Sequence, residues 1–256
     1  MSQSNCQIDV NIPLLNWLHP GRIASRKIDA IRSKGLVASG PFRGLPASNA
    51  ALDGNWPYLL GLYEIQLHDV IESLFKRQYP LIVDVGGGSG YYAIGTAFRQ
   101  PQARVVVFES LPDNQASIEN YARKSGIAEK IDLREHCHTE DLLAVVSRAS
   151  QGLLLMDCEG GERELLGDAM VAPLRGWSIL QEIHDWHAPG AAEEIHNRFQ
   201  SSHHIKEIWS RELQATDLNF MLSWPMTHLC LPYVRRMCDE NRGGPMRYFL
   251  MEPKAT

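Results

Sequence analysis

The sequence predicts an α/β fold: a mostly parallel seven-stranded sheet with helices on both faces, preceded by a helical cap. Three observations lead there. Residues 81–92 read as a buried strand that runs into a glycine-rich turn and a helix start. After that turn, strand-like and helix-like segments alternate, as parallel sheets with crossover helices require. The chain has 256 residues, 44% hydrophobic and 21% charged, enough for one filled core with additions.

Taken in order, residues 1 to about 56 are interrupted by Gly40, Pro41, Gly44, Pro46 and Gly54, which predicts short helices and loops wrapped on a core. From Pro57, Leu59, Leu62, Tyr63, Leu67, Val70, Ile71, Leu74 and Phe75 recur at three and four, predicting one amphipathic helix that leads into the first strand. Residues 1–75 are therefore read as the cap and 76–256 as the ligand-binding domain. Residues 81–85 place apolar side chains around Asp84, the pattern of a strand covered on both faces. Gly86, Gly88 and Gly90 let the chain turn sharply and bring backbone N–H groups close to a ligand. Residues 104–108 form a second strand, and 112–124 a helix with proline near its start and Gly126 past its end. Strands follow at 131–135, 153–156 and 178–183, with helices at 139–148, 162–170 and 191–200. Residues 205–209 and 247–251 supply two closing strands, separated by a loop-rich insert at 210–246.

Composition narrows the function. A net charge of −5 disfavours nucleic acid as a partner, because phosphate contacts need clustered Lys and Arg. Five scattered cysteines (Cys6, Cys137, Cys158, Cys230, Cys238) without C-x-x-C spacing indicate neither a disulfide framework nor a structural zinc site. No leader pattern and no membrane-length apolar run is visible, so a cytoplasmic protein with no membrane partner is expected, and a homodimer is open as an assembly.

In such sheets ligands bind beyond the carboxyl ends of the strands. Gly88, Gly90 and Ala93 satisfy the dinucleotide pattern G-x-G-x-x-A, yet no Tyr-x-x-x-Lys pair of the short-chain dehydrogenase kind accompanies it. Glu109 ends the second strand about twenty residues after the turn, the separation at which an acid meets ribose hydroxyls. His136 to Asp141 follow the third strand, where an adenine contact would lie. Thr139 is read as a cap there, and His136-Cys137-His138 lacks the further ligands a zinc site needs. Asp157, Glu159 and Glu162 lie beyond the fourth strand, and Glu182, His184 and His187 beyond the fifth. Each alone could be a cap or a structural histidine; their convergence beside a cofactor turn points to function.

The series Tyr63-Glu64, Asp84-Val-Gly-Gly-Gly-Ser-Gly-Tyr-Tyr, Phe108-Glu109, Asp157-Cys-Glu-Gly-Gly-Glu and Glu182-Ile-His resembles the FkbM-type S-adenosylmethionine (SAM) dependent methyltransferases over roughly residues 57–200. Gly87 and Gly88 stand where that family commonly has Ala-Asn, and Cys158 where it has Val. The resemblance implies a Rossmann-like class I methyltransferase fold, SAM as cofactor, and O-methylation of a small natural product or sugar. The alternatives are N-methylation, an NAD(P)-dependent oxidoreductase and a silent SAM-binding subunit. Expected cofactor residues are Glu64, Asp84, Gly86, Gly88, Gly90, Tyr91, Glu109, Ser110, His138, Asp157 and Glu159, and acceptor contacts are expected from the cap and the 210–246 insert.

Methyl transfer from a sulfonium is an in-line displacement, so positioning dominates and a base is secondary. His184 is the first choice for that base, with Asp157 and Glu182 beside it. No metal is assigned. Asp157, Glu159, Glu182 and Asp185 as oxygen ligands for Mg²⁺ are the alternative, ranked below binding of the cofactor's amino group.

Overall fold

The computed structural model describes residues 18–185, 187–239 and 244–255. Seven strands form its centre: β1 (Leu81–Val85), β2 (Arg104–Phe108), β3 (Ile131–Arg134), β4 (Leu153–Met156), β5 (Ser178–Ile183), β6 (His203–Trp209) and β7 (Arg247–Pro253). They lie in the order β3-β2-β1-β4-β5-β7-β6 in one sheet. β1 to β5 pair in parallel, and β7 runs antiparallel to both β5 and β6. The direction of strand succession reverses between β1 and β4, which opens a crevice beyond their carboxyl ends.

Strand alternation explains why β1 is buried throughout. Ile82 joins Val105 and Leu155 in one hydrophobic cluster, whereas Val83 joins Val106, Leu154 and Ile179 in the other. Helices Tyr91–Arg99 and Pro112–Lys124 cover the first face through Ile94, Ala97, Ile118 and Tyr121. Helices Thr139–Val146 and Ala191–Phe199 cover the second through Leu142, Val145, Ile195 and Phe199. Each fully buried aliphatic or Phe side chain here contributes roughly 1.5–3 kcal/mol relative to exposure.

A third cluster joins distant parts of the chain. Ala24 and Ile28 of helix Pro20–Arg32, and Leu59 and Leu60 of helix Trp56–Leu60, pack with Leu218, Cys230 and Val234 from the segment after β6. That segment carries the helix Met226–Met237, with Pro232 inside it, where the sequence reading expects a loop-rich insert.

Two other expectations are corrected. The single helix over 57–75 is broken into Trp56–Leu60, a 3₁₀ turn Ile65–Leu67 and His68–Leu74. Gly61 ends the first piece in a left-handed conformation, φ 65°, and a Cβ there would overlap the Ser39 carbonyl. A contact from outside the segment thus overrides a helical pattern. The helix expected over 162–170 is two short turns, Glu162–Leu165 and Asp168–Val171, with Gly167 extended between them.

Cys137, Cys158, Cys230 and Cys238 are free thiols, and Cys6 lies outside the described residues. Among the described residues no helix is long and apolar enough to cross a membrane.

His203, at the start of β6, yields a pH prediction. Its Nε2 stands 3.0 Å from the Trp177 carbonyl and its Nδ1 2.8 Å from the Ser202 hydroxyl, in a buried position. Burial holds its pKa below the ordinary 6.5 although the Trp177 carbonyl favours the charged ring. The unfolded chain then binds more protons than the native one just below pH 6.5, so native stability falls as the pH drops through that window. Thermal melts between pH 7.5 and 5 should show a steeper loss for wild type than for His203→Gln. Parallel curves would remove His203 from the acid sensitivity.

Candidate active site at the β1–β4 crevice

The turn after β1 is fixed by backbone contacts to both neighbouring strands. Gly86 N–H and Gly87 N–H donate to the Phe108 carbonyl at 2.9 and 3.1 Å, and Asp157 N–H donates to the Val85 carbonyl at 2.9 Å. Gly86 has φ 87° and lies so close to the next loop that a Cβ would overlap the Asp157 carbonyl oxygen. Gly88, φ 52°, faces open space, with nothing within 4 Å of where its Cβ would be. Gly90, φ 91°, starts the helix carrying Tyr91 and Tyr92.

Two chambers meet at this turn. The larger, ≈ 450 Å³, is lined by Glu109, Ser110, His136, His138 and Glu159 among others. The smaller, ≈ 70 Å³, is lined by Tyr58, Tyr63, Glu64, Asp84, Tyr91, Tyr92, Glu182 and Tyr248 among others. Gly86, Gly88 and Asp157 line both. A third cavity of ≈ 420 Å³, with Arg211 and Arg235 in its wall, shares Glu64 and Tyr248 with the smaller chamber. No Lys or Arg among the described residues lines the first two, whereas Glu64, Asp84, Glu109, Asp157, Glu159, Glu164 and Glu182 do.

The acids are held individually. Glu109 is buried and accepts from Gly88 N–H at 2.7 Å and Leu111 N–H at 2.8 Å, which ties the turn to the end of β2. Asp84 is buried, and its Oδ2 has no hydrogen-bond partner among the described residues. Burial, reinforced by the Asp157 and Glu109 charges, pushes its pKa up to about 7. Glu64 is buried in a left-handed conformation, φ 45°, unusual for a residue with a Cβ, and accepts from the Tyr92 hydroxyl and from the Tyr248 hydroxyl at 3.0 Å. Glu159 shares that conformation, φ 55°. Such outliers cost about 1–3 kcal/mol and persist where surrounding contacts hold them.

Beyond β4 and β5, His184 is the centre of an acidic shell. It is 3% exposed, with Nδ1 2.6 Å from Oε1 of the equally buried Glu162. Its Nε2 stands 3.5 Å from Asp157 Oδ1, 3.6 Å from Glu159 Oε2 and 3.7 Å from Glu182 Oε1. Burial works against charging the ring, but the Glu162 hydrogen bond and the Asp157 and Glu182 carboxylates outweigh it and raise its pKa to about 8. Glu162 also accepts from Gly160 N–H at 3.2 Å; His184 and that amide hold its pKa below the usual carboxylate range against the effect of burial.

Of the residues expected at the site from sequence, Glu64, Asp84, Gly86, Gly88, Tyr91, Glu109, Ser110, His138, Asp157, Glu159 and Glu182 line the two chambers, whereas Gly90 sets the helix start and His184, Glu162 and His187 stand outside the lining, His184 within 3.7 Å of Asp157 and Glu182. Asp185, offered as a magnesium ligand, is instead turned to Arg247 at 3.1 Å. His138 takes the cap position before helix Thr139–Val146, its N–H donating to Asp141 at 3.3 Å, so Thr139 is the first helical residue rather than the cap. Sequence reasoning missed Tyr58, Tyr92 and Tyr248 as lining groups. Tyr248 reaches the chamber because β7 pairs it with Glu182 on β5, a long-range register without a local signal.

No protein-family model matches the chain, and no curated protein does. Solved structures share its fold. A candidate rRNA methylase from Clostridium thermocellum superposes with a TM-score of 0.50 at 10% identity, over 75% of this chain and 97% of that one. A candidate O-methyltransferase from Klebsiella pneumoniae gives 0.48 at 13% identity, covering 95% of each chain. The O-methyltransferase TomG of Streptomyces achromogenes, involved in tomaymycin synthesis and solved with SAM, gives 0.46 at 13% identity over 90% of each. At such identities the likeness is one of architecture: the chain has the Rossmann-like methyltransferase fold.

The two glycines of the turn should lose unequal amounts of stability on substitution. Gly86→Ala should destabilise the fold by at least about 3 kcal/mol in urea denaturation, because the obstacle is backbone. Gly88→Ala should cost about 1–2 kcal/mol, the strain of a left-handed alanine alone. Equal losses would mean that the Gly86–Asp157 approach does not constrain the fold.

Proposed function

We propose that the chain is a SAM-dependent methyltransferase of the FkbM type that methylates a hydroxyl of a small molecule, a natural product or sugar. The observation that carries this is the charge of the cleft. SAM carries a sulfonium, an ammonium and a carboxylate at one end, a net positive charge, and an uncharged nucleoside at the other, which suits two acid-lined chambers that no Lys or Arg among the described residues lines. A dinucleotide cofactor would bring its pyrophosphate against the same acids. The Gly86–Gly90 turn and Glu109 support the nucleoside in the larger chamber, with His138 and Ser110 at its edge. Glu64, Asp84, Tyr91 and Glu182 suit the aminoacyl part in the smaller one.

We assign the acceptor to the third cavity, which shares Glu64 and Tyr248 with the small chamber. The nucleophile then approaches on the side of Asp157 and Glu182, and alignment with the methyl–sulfur axis supplies most of the acceleration. The proton leaves toward Asp157, which His184 backs at 3.5 Å. A net charge of −5 supports a small acceptor over RNA, and the free thiols fit a cytoplasmic location.

Calorimetry should show binding of SAM and of S-adenosylhomocysteine; absence of both sinks the reading. Gly88→Val should abolish binding in a folded protein, and Glu109→Ala should weaken it by on the order of 2 kcal/mol, the loss of charge-assisted hydrogen bonds to two hydroxyls.

His184→Ala separates chemistry from packing. It should lower kcat roughly 10²- to 10⁴-fold with SAM affinity nearly unchanged. A lower melting temperature with turnover of the folded enzyme intact would make His184 a structural residue.

A further inference from the structure

We infer that the third cavity is a subsite for an organic anion, an apolar body carrying a carboxylate or phosphate group. Its consequence for catalysis rests on the methyl-transfer reading: the acceptor is then a hydroxylated acid and not a neutral alcohol. The cavity, ≈ 420 Å³, differs in kind from the two chambers beside it. No Lys or Arg among the described residues lines those two, whereas Arg211, Arg235 and Arg236 line this one.

The bonds each guanidinium makes separate the three. Arg211 is spent: its Nη1 and Nη2 donate to the two carboxylate oxygens of Asp217 at 2.8 and 3.0 Å, and Gln214 N–H holds the same carboxylate at 2.6 Å. Arg235 gives Nε and Nη2 to the Leu213 carbonyl at 2.8 and 2.5 Å, a neutral acceptor that fixes the side chain without cancelling its charge. Its Nη1 stands 3.0 Å from Glu212 Oε2, but that carboxylate is 78% exposed, and such a pair is worth little against solvent. Arg236 is exposed and makes no ion pair with a described residue. A guanidinium has more N–H donors than these bonds use, so the corner holds one positioned cation with donors to spare and a second beside it.

Both arginines lie in the last turn of the helix Met226–Met237, where the helix dipole favours basic side chains. The dipole accounts for charge at that turn, but not for its place in a cavity wall that also holds Leu62, Ile65, Leu213 and Met246. Apolar surface beside a guanidinium suits a ligand with both characters, and the planar fork reads carboxylate and phosphate alike. Glu212 and Asp239 in the same wall keep it from being a general anion trap, so the apolar body is needed as well as the charge. Orientation follows from Glu64, which this cavity shares with the acid-lined small chamber; Arg235 and Arg236 do not line that chamber. The anionic end is drawn to the arginines and repelled from Glu64, which turns the uncharged end toward the small chamber.

The test is titration of full-length protein carrying isotope-labelled arginine with benzoate, phenyl phosphate and methyl benzoate, read by NMR at the arginine side-chain N–H signals. Benzoate or phenyl phosphate should shift the Arg235 and Arg236 signals and bind about tenfold more tightly than neutral methyl benzoate, the effect of charge-assisted hydrogen bonding. Arg236→Gln should remove most of that preference, and Arg236→Lys, which keeps the charge, should retain part of it. Tighter benzoate binding makes the ligand a carboxylic acid, and tighter phenyl phosphate binding makes it a phosphorylated compound. No anion binding at tens of millimolar, equal affinity for methyl benzoate, or an undiminished preference in folded Arg236→Gln would each overturn the subsite. The probes need no cofactor, so the two readings fail separately. SAM binding without an anion preference defeats this inference alone; an anion preference without SAM binding keeps the subsite and removes methyl transfer.

Discussion

The approach of Gly86 to the backbone of Asp157 sets the distance between the ends of β1 and β4, and the crevice is organised from that distance outward. Because the chain leaving β1 is hydrogen-bonded to the end of β2 and touches the start of the loop after β4, its next amides are placed without help from a ligand. Gly88 N–H can then be gripped by Glu109, and the Asp157 carboxylate is delivered to the junction of both chambers. His184 follows from the same constraint, since β5 pairs with β4 in register and its extension ends beside Asp157.

Charge is distributed with a clear inside and outside. Ion pairs such as Arg134–Asp132, Arg163–Glu194 and Arg247–Glu207 lie on exposed or half-exposed ground, where each is worth little. The crevice concentrates carboxylates away from those cations. Gathering like charges in a partly dry cleft costs free energy in the empty protein, and a cationic ligand relieves it on arrival. The Asp84 proton, retained to about pH 7, is one sign of that tension.

What was legible in the sequence was local. Strands β1, β2, β4 and β5 and the helix Pro112–Lys124 follow from period, proline and glycine placement, and the glycine turn announces its own chemistry. What was not legible depends on partners far along the chain. Residues 57–75 carry a helical pattern, yet Ser39 forces the break at Gly61 that lets Glu64 turn inward. Tyr248 becomes a lining residue only through antiparallel pairing with β5. Glu162, which reads as a helix-start acid, is the buried partner of a histidine 22 positions away.

The helical cluster of Ala24, Leu59, Leu218 and Val234 has a consequence for how the molecule forms and loosens. Its halves come from segments far apart in sequence; Cys230 Sγ donates to the Pro20 carbonyl across 210 positions. Closing so long a loop is an entropic cost that the sheet meets first by bringing the two segments together, so the cluster assembles late in folding. Its packing is largely separate from the two clusters flanking the sheet, which makes it a cooperative unit able to open below the global unfolding free energy. The side of the crevice built on the sheet clusters is then the rigid half of the molecule, and the side beneath the helical cluster is the one whose opening is cheapest.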